Sequence, residues 1–342
     1  MGRARGCRRL PAITEHLLGT GARHSGNAGC VGCVHRAVHD QGSLQSRGLS
    51  TALSRALGNH TSTTHATHLP HGTSLGSSSM SHDDHDELVP LPTAGRVYSA
   101  QRRVRLGDAS PGGRLRLDAC ARYLQDVAND DSRDAGSPNP TAWVARRTVL
   151  RVEHFPDYLD LLTMRTWCGG LGKRWAERRY SVTADSTESD RGVAGQAPLG
   201  HIEAATLWVH IDMNTMKPIA VPGDFAEQFG QAAAGRTISA RLHLPTRPDE
   251  AAPTVITEWP LRFADFDVLG HMNNCVYWAI VEEQLARLRL LRAPLTITLE
   301  HHDAIDPGAG VLVSVIDRAT GFDLWVSTDH DRVAAVVRAT AH

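Results

Sequence analysis

A helix-like segment followed by four short strand-like segments occurs twice in the chain, and this recurrence limits the possible folds more than any other feature. Apolar residues recur at helical spacing in residues 117–136, and four runs rich in β-branched and aromatic residues follow before residue 223. The same order returns after residue 254. Short turns such as DPGAG and ATG leave no room for the helical crossovers that parallel strands require. The sequence therefore predicts a duplicated α+β unit with antiparallel sheets.

Composition divides the chain into four parts. Residues 1–92 are predicted to be a disordered or non-native extension, because much of this part is rich in Ser, Thr, His and Gly and has no sustained apolar period. Residues 93–222 and 254–342 hold the two repeats, and residues 223–253, with three Gly and three Pro, are predicted to be a linker. The Arg-rich, acid-poor start has three explanations: sequence upstream of a true start at Met80, a disordered tail, or an organelle-targeting peptide.

Charge and cysteine usage exclude several classes of protein. The formal net charge is -1, and residues 80–342 hold more acidic than basic side chains, so a nucleic-acid partner is not expected. No apolar run approaches the roughly 18–20 residues of a membrane span. The six Cys are scattered, as in a cytoplasmic protein with reduced thiols, and the pair Cys30 and Cys33 has no second pair at zinc-finger spacing. We therefore expect a cytoplasmic protein without a metal site.

The second repeat begins with a polar cluster directly before a helix. The sequence DFDVLGHMNNCVYW contains Asp267, His271, Asn273 and Asn274. The first turn of a helix presents unpaired N–H groups and the positive end of the helix dipole, which together can hold a developing oxyanion. A carboxylate and an imidazole at such a position can activate a nucleophile or move a proton. The pattern therefore indicates a catalytic site at the start of this helix.

The helix after the cluster is predicted to bury one broad apolar face under a wrapped sheet. At 100° per residue, Tyr277 and Leu285 share this face, whereas Glu282 and Glu283 lie off it. Tyr277 is close enough to the polar cluster to be a candidate for contact with the substrate. Glu283 could also form an ordinary ion pair with Arg287, one helical turn away.

The motif resembles the active-site segment of hotdog-fold acyl-acyl-carrier-protein thioesterases. The stretches TWCGGLGKRWAERRYSV and AATLWVHIDMNTMKPIAVP resemble the first hotdog repeat of the same family, and the resemblance covers about residues 95–342. It implies a tandem (double) hotdog, in which each repeat is a long helix wrapped by an antiparallel β-sheet. It also implies a thioesterase that releases free fatty acid from fatty acyl-acyl carrier protein (acyl-ACP) without a cofactor. The oligomeric state stays open between a monomer and a homodimer. An acyl-CoA thioesterase and a catalytically silent acyl-binding hotdog protein remain alternatives.

The resemblance assigns roles to individual residues of the motif. Asp267 corresponds to the catalytic carboxylate, which activates water or attacks the carbonyl, and His271 would position the thioester or move a proton. Asn273 and Asn274 would orient the carboxylate or bind the substrate carbonyl, and Glu283 matches a family carboxylate by position. Ordinary structural roles stay open: Asp267 could be a helix-entry residue, and the two amides could be plain capping residues.

Two positions depart from the plant members of the family. Plant enzymes carry Asn where this chain has Leu269, and they carry a further catalytic Glu where this chain has Ala304. His302 and Asp303 are neighbours that could replace that Glu. We therefore expect the mechanism to rely on the carboxylate and imidazole of the motif.

The first repeat lacks the polar cluster. Its corresponding sequence, GGRLRLDACARYL, contains Asp118, which is a predicted N-cap, but neither a His nor an Asn pair. The second repeat is thus predicted to be catalytic and the first to shape the acyl pocket.

An acidic acyl carrier protein would need a positive surface on this acidic body. The densest candidate is GKRWAERR, in which we predict that Arg174 and Arg178 contact the partner. Arg287, Arg289 and Arg292 form a second candidate on and after the catalytic helix. Because charges also protect exposed sheet edges from pairing, GKRWAERR could have that purely structural role.

Overall fold

The structure of the chain is a computed structural model, and most of the predicted N-terminal extension, together with Cys30 and Cys33, lies outside the described residues. The last part of that extension is described, and there the carbonyl of Val89 accepts hydrogen bonds from Nε and Nη2 of Arg179 at 3.1 and 2.9 Å. The packed body therefore begins before residue 93, earlier than predicted. The structure describes residues 88–136, 143–184, 199–328 and 332–342.

The described residues form three α-helices and ten β-strands. None of these helices combines the length and apolar composition that a membrane crossing requires. The helices are α1 (Leu117–Asp134), α2 (Gly223–Phe229) and α3 (Asn274–Arg287). The strands are β1 (Val97–Arg103), β2 (Trp143–His154), β3 (Leu161–Leu171), β4 (Trp175–Ala184), β5 (His201–His210), β6 (Val255–Glu258), β7 (Leu295–His301), β8 (Val311–Arg318), β9 (Gly321–Thr328) and β10 (Val333–Ala341).

All ten strands belong to one antiparallel sheet, in the order β1-β3-β4-β5-β2-β7-β10-β9-β8-β6. The first five strands and the last five follow the same connection order from the two outer edges to the middle, where β2 pairs with β7 and Leu150 lies opposite Ile297. The long helices α1 and α3 bury apolar residues such as Leu124 and Leu285 in one shared core. The predicted double hotdog, with one long helix and one antiparallel half-sheet per repeat, is confirmed.

The first strand of the second repeat ends well before the motif. Strand β6 ends at Glu258, and residues Phe263–Asp265 form a 3-10 helix instead. Pro260 explains this end of the strand, because its ring removes the N–H that a continuing strand would use in the ladder. Between Glu258 and the start of α3 at Asn274 the chain is therefore a loop with one turn of 3-10 helix.

The segment predicted as a linker, residues 223–253, is partly helical and packs on the first repeat. It contains α2, whose last residue, Phe229, is 3% exposed. Further along the segment, Arg236 forms an ion pair of 2.6 Å with the buried Glu177, and the carbonyl of Ile238 accepts from the indole N–H of Trp175 at 2.9 Å. The sequence did not predict these contacts, because a Gly- and Ala-rich composition is typical of a linker.

The start of α1 is capped from the other repeat. Asp118, the predicted N-cap, lies inside the helix and binds Arg116 and Arg122. The N–H of Leu117, the first residue of α1, donates instead to Oε2 of Glu282 on α3 at 2.6 Å. The prediction that Glu282 faces away from the buried side of α3 is therefore wrong, because it is 8% exposed and lies against α1.

Candidate active site

The motif of the second repeat forms a tight loop that leads into α3. The N–H of Asp267 donates to the carbonyl of His271 at 3.1 Å, and the N–H of Gly270 donates back to the carbonyl of Asp267 at 3.0 Å. Gly270 has a φ of 80°, a conformation that glycine adopts without strain. The N–H of Asn273 donates to the carbonyl of Asp265 at 2.8 Å, which fixes the point where the loop enters the helix.

Asn273 joins the candidate carboxylate to the start of α3. Its Oδ1 accepts from the N–H of Cys275 at 2.9 Å, so it is the N-cap of the helix. That contact directs its Nδ2 to Oδ2 of Asp267 at 3.1 Å, while Oδ1 of Asp267 accepts from the N–H of Leu269 at 2.9 Å. Asn273 therefore both caps the helix and orients Asp267, the two roles that the sequence left as alternatives.

His271 is held by a carboxylate that lies outside the motif. Its Nδ1 lies 2.9 Å from Oδ1 of Asp306, in the turn after β7. The N–H of Met272 donates to the carbonyl of Ile305 at 2.9 Å, which ties the same two loops together. Sequence reasoning missed Asp306 because the DPG sequence indicates a surface turn, although it stands only two positions after Ala304, where plant members have Glu.

The other residues predicted from the motif lie in three different environments. Asn274 is exposed and borders a cleft at the start of α3. Tyr277 is 2% exposed and packs edge-on against the ring of His301, so it lies in the core rather than at the cleft surface. Glu283 is exposed on the outer side of α3, and its expected partner Arg287 donates instead to Oε1 of Gln284 at 3.0 Å.

A cleft with about 490 Å³ of open space lies between the first turns of α1 and α3. Cys275 is buried in its wall, which raises the pKa of the thiol to about 12, and the charge of Asp267 adds a smaller contribution in the same direction. The neutral thiol donates to Oε1 of Gln125 on α1 at 3.5 Å. The lining residues come mainly from the first repeat and are largely apolar: Leu117, Ala121, Leu124, Gln125, Ala145, Thr148, Leu150, Tyr180, Thr206, Trp208, Asn274, Cys275, Trp278 and His301.

A second space of about 660 Å³, open to solvent, shares Gln125 and Trp208 with the cleft. Trp143, Phe225 and Phe229 form much of its apolar wall. Both spaces are lined mainly by the first repeat, and Asn274 and Cys275 line the first of them.

The predicted docking patch GKRWAERR is not one surface. Arg174 is exposed, but the side chain of Arg178 is 13% exposed and turns inward to an ion pair with Asp131, which is 1% exposed. The next residue, Arg179, is completely buried. The prediction that Arg178 contacts a partner is therefore wrong, because its side chain is bound to Asp131 inside the protein.

The loop of the first repeat has the same backbone hydrogen bonds as the motif loop but different side chains. The N–H of Ser110 donates to the carbonyl of Arg114 at 2.8 Å, and the N–H of Gly113 donates to the carbonyl of Ser110 at 2.9 Å. The carboxylate and imidazole chemistry is thus present in one repeat only. Ser110, Arg114 and Arg116 stand at the positions of Asp267, His271 and Asn273.

Both halves of the chain match domains of one family. Residues 95–229 match the Acyl-ACP thioesterase N-terminal domain, and residues 249–334 match the Acyl-ACP thioesterase C-terminal domain. The chain is 31% identical over 223 residues to the uncharacterized protein Rv2001 of Mycobacterium tuberculosis, which covers 65% of this chain and 83% of that protein. It is 23% identical to the chloroplastic oleoyl-acyl carrier protein thioesterase of Coriandrum sativum, over 64% of each protein.

Solved structures share the fold. The 12:0-ACP thioesterase from Umbellularia californica superimposes with a TM-score of 0.58 at 18% identity, over 71% of this chain and 96% of that one. An acyl-ACP thioesterase from Bacteroides thetaiotaomicron gives a TM-score of 0.56 at 16% identity, over 71% and 97%. Because both domains are matched in order along one chain with this double fold, the protein belongs to the acyl-ACP thioesterase family.

Proposed function

We propose that the protein hydrolyses the thioester of fatty acyl-ACP and releases free fatty acid. The observation that carries this proposal is the hydrogen-bonded unit of Asp267, Asn273 and the first turn of α3, which lies at the mouth of a largely apolar cleft. Family membership and fold support a thioester hydrolase. The nature of the carrier and the roles of individual residues are part of the proposal.

Asp267 acts as the general base in this mechanism. It accepts a proton from a water molecule whose oxygen attacks the thioester carbonyl carbon. The carbonyl oxygen becomes an oxyanion beside the N-terminal end of α3, where N–H groups and the helix dipole stabilise negative charge. When the carbon–sulfur bond breaks, the proton held by Asp267 passes to the departing sulfur, so the products are a fatty acid and a free thiol. His271, whose ring is oriented by Asp306, positions the sulfur.

The first repeat receives the acyl chain. The cleft offers apolar surface from α1, β2, β4 and β5, and the second space adds the aromatic side chains of Trp143, Phe225 and Phe229. Transfer of each CH₂ group from water to such surface contributes about 0.8 kcal/mol. A hydrocarbon chain is therefore a better occupant of this apolar surface than a charged or strongly hydrated group.

Exposed apolar side chains beside the motif favour a protein carrier over free CoA. Phe263 is 99% exposed, Val268 is 102% exposed relative to the reference state, and Leu269 is 57% exposed. These three residues, called the apolar rim below, flank Asp267 in the sequence. Exposed apolar side chains beside a site are typical of a protein-binding surface, whereas a nucleotide carrier would favour basic and polar groups.

Hydrolysis of matched acyl-ACP and acyl-CoA panels tests the proposal. We expect kcat/KM to be about tenfold or more higher for acyl-ACP, and Asp267→Asn to lower kcat by about two orders of magnitude or more without loss of the fold. Ser110→Ala is the matched control, because Ser110 has the same place in the loop of the first repeat, and it should leave kcat unchanged. A higher kcat/KM for acyl-CoA would show that the carrier is CoA rather than acyl carrier protein. The absence of hydrolysis on both panels would indicate an acyl-binding protein.

A further inference from the structure

Each of the long helices α1 and α3 carries a polar side chain that contacts the first turn of the other helix. In one of these contacts, the side chain accepts from the first backbone N–H of the other helix. Arg116, the N-cap of α1, makes no side-chain capping bond. The carboxylate of Glu282 replaces it: Oε2 accepts from the N–H of Leu117 at 2.6 Å, and Oε1 lies 3.3 Å from Nη2 of Arg114. An oxyanion therefore finds no free backbone donor at Leu117, because a carboxylate already occupies it.

Gln125 occupies the corresponding place at the start of α3. It stands as far from Leu117, the first residue of α1, as Glu282 stands from Asn274, the first residue of α3. It lines the cleft together with Asn274 and Cys275, and its Oε1 accepts from the thiol of Cys275. The two helix–helix contacts are thus related by the internal repeat, but one has a carboxylate and the other an amide.

The change from carboxylate to amide alters what the helix start can bind. Among the described residues, no group accepts from the N–H of Asn274, whereas the equivalent N–H of Leu117 is taken by Glu282. A carboxylate is only an acceptor, but an amide also has two donor hydrogens on Nε2. Gln125 lines the cleft and its Oε1 accepts from Cys275, so the hydrogens of Nε2 are the part of this amide that remains to donate.

We propose that Gln125 is a catalytic residue that donates a hydrogen bond from Nε2 to the carbonyl oxygen of the thioester, alongside the N–H of Asn274. The bond strengthens as the carbonyl oxygen becomes an oxyanion, so it lowers the barrier rather than only binding the substrate. This inference rests on the proposed thioester hydrolysis. It also accounts for a catalytic site in one repeat only. Glu282 places a negative charge at the start of α1, whereas Gln125 leaves the start of α3 open to an oxyanion.

Exchange of the two side chains in separate variants tests the inference. Gln125→Met keeps the length of the side chain and removes the donor, and we expect kcat on acyl-ACP to fall roughly 100- to 1,000-fold with KM nearly unchanged. Gln125→Glu should lower kcat at least as far while the melting temperature stays equal or rises, because the new carboxylate would accept from Asn274 as Glu282 accepts from Leu117. Glu282→Gln is the matched control, and it should lower the melting temperature without changing kcat.

The outcomes separate the inference from the proposed function. If the wild-type protein hydrolyses neither acyl-ACP nor acyl-CoA, both are overturned. If it hydrolyses a thioester and both Gln125 variants keep kcat within about threefold, only the inference is overturned. An increase in KM with unchanged kcat would also overturn it, because Gln125 would then only shape the pocket. If Gln125→Met proves unstable, the nearly isosteric Gln125→Glu variant decides the question by the same comparison of kcat with melting temperature.

Discussion

Asp306 lies 2.9 Å from the imidazole of His271, so the ring in the motif is oriented by a carboxylate from a different loop. The position at which plant members carry a further Glu is Ala304 in this chain, and Asp306 brings a carboxylate to the site from two residues further on. Because Nδ1 of His271 is engaged by Asp306, Nε2 is the ring atom that would face the sulfur in the proposed mechanism.

Asp306→Asn should lower kcat on the thioester by roughly tenfold or more. The variant keeps the size of the side chain but loses the charge that fixes the tautomer and angle of the ring. Steady-state kinetics should show the loss mainly in kcat, since the cleft for the acyl chain is untouched. Asp317→Asn is a suitable control, because Asp317 is an exposed carboxylate that pairs only distantly with Arg287. Equal kcat values for Asp306→Asn and wild type would remove Asp306 from the site.

The fold, and the grouping of the candidate site residues in one loop, were predictable from the sequence because they depend on local patterns. The apolar period of α1 and α3, the alternation of the strands and the turn residues between them indicate a duplicated α+β unit. Asp267, His271 and Asn273 were predictable because they are close together in the sequence, directly before a helix. Their spacing in the sequence is enough to group them, and no contact between distant segments has to be known.

The contacts between distant segments were not predictable in the same way. Glu282 was expected to be solvated because a helical projection shows only its own helix, and the first turn of α1 that it caps is far away in the sequence. Arg178 was expected at the surface because it stands in a basic run, but Asp131 on α1 draws it inward. Nothing in the sequence distinguished Gln125 from the other polar residues of an amphipathic helix.

Removal of the N-terminal segment should affect stability in a stepwise manner. A chain that begins at Met80 keeps Val89, whose carbonyl accepts from the buried guanidinium of Arg179, and should melt at the same temperature as the full chain. A chain that begins at Thr93 loses this acceptor, which leaves a buried charge with fewer partners, at a cost of about 1–3 kcal/mol. That corresponds to a decrease of several degrees in melting temperature. Identical melting curves for the two shortened chains would show that the contact with Val89 does not stabilise the body.

Stability should decrease as the pH falls from about 6.5 towards 4. Burial lowers the pKa of His301 to about 3 and that of His302 to about 4, and the charge of Arg146 adds to both shifts. The unfolded chain takes up protons near pH 6.5 that the folded protein excludes, so the stability from the neutral imidazoles is complete above that pH and is lost below it. Each group contributes a slope of about 1.4 kcal/mol per pH unit in this window.

Urea unfolding at several pH values can measure this slope. His302→Gln should make the free energy of unfolding less dependent on pH between about 4 and 6.5, because one of the two excluded protonations disappears. His342→Gln, at an exposed position, should leave the slope of the wild-type protein unchanged. A slope that is the same in all three proteins would show that His302 is not the source of the pH dependence.

The apolar rim should decide the preference for a protein carrier. Phe263 begins the 3-10 helix before the motif, and Leu106 begins the equivalent 3-10 helix of the first repeat, where it is 77% exposed. Burial of one such side chain against a partner contributes about 1.5–3 kcal/mol, and 1.4 kcal/mol is a factor of ten in affinity. Phe263→Ser should therefore raise KM for acyl-ACP roughly tenfold and leave kinetics on a short acyl-thioester analogue unchanged.

Leu106→Ser provides the matched control for the apolar rim, because it removes an exposed apolar side chain at the same place in the loop of the first repeat. We expect its KM for acyl-ACP to equal that of the wild-type protein, since the carrier must present its thioester beside Asp267. Equal increases in KM for both variants would indicate a diffuse apolar attraction rather than a docking site at the rim. A loss on the short analogue as well would place the effect of Phe263 in the catalytic loop itself, and Arg174, Arg289 and Arg292, which are all exposed, would be the next candidates for the carrier surface.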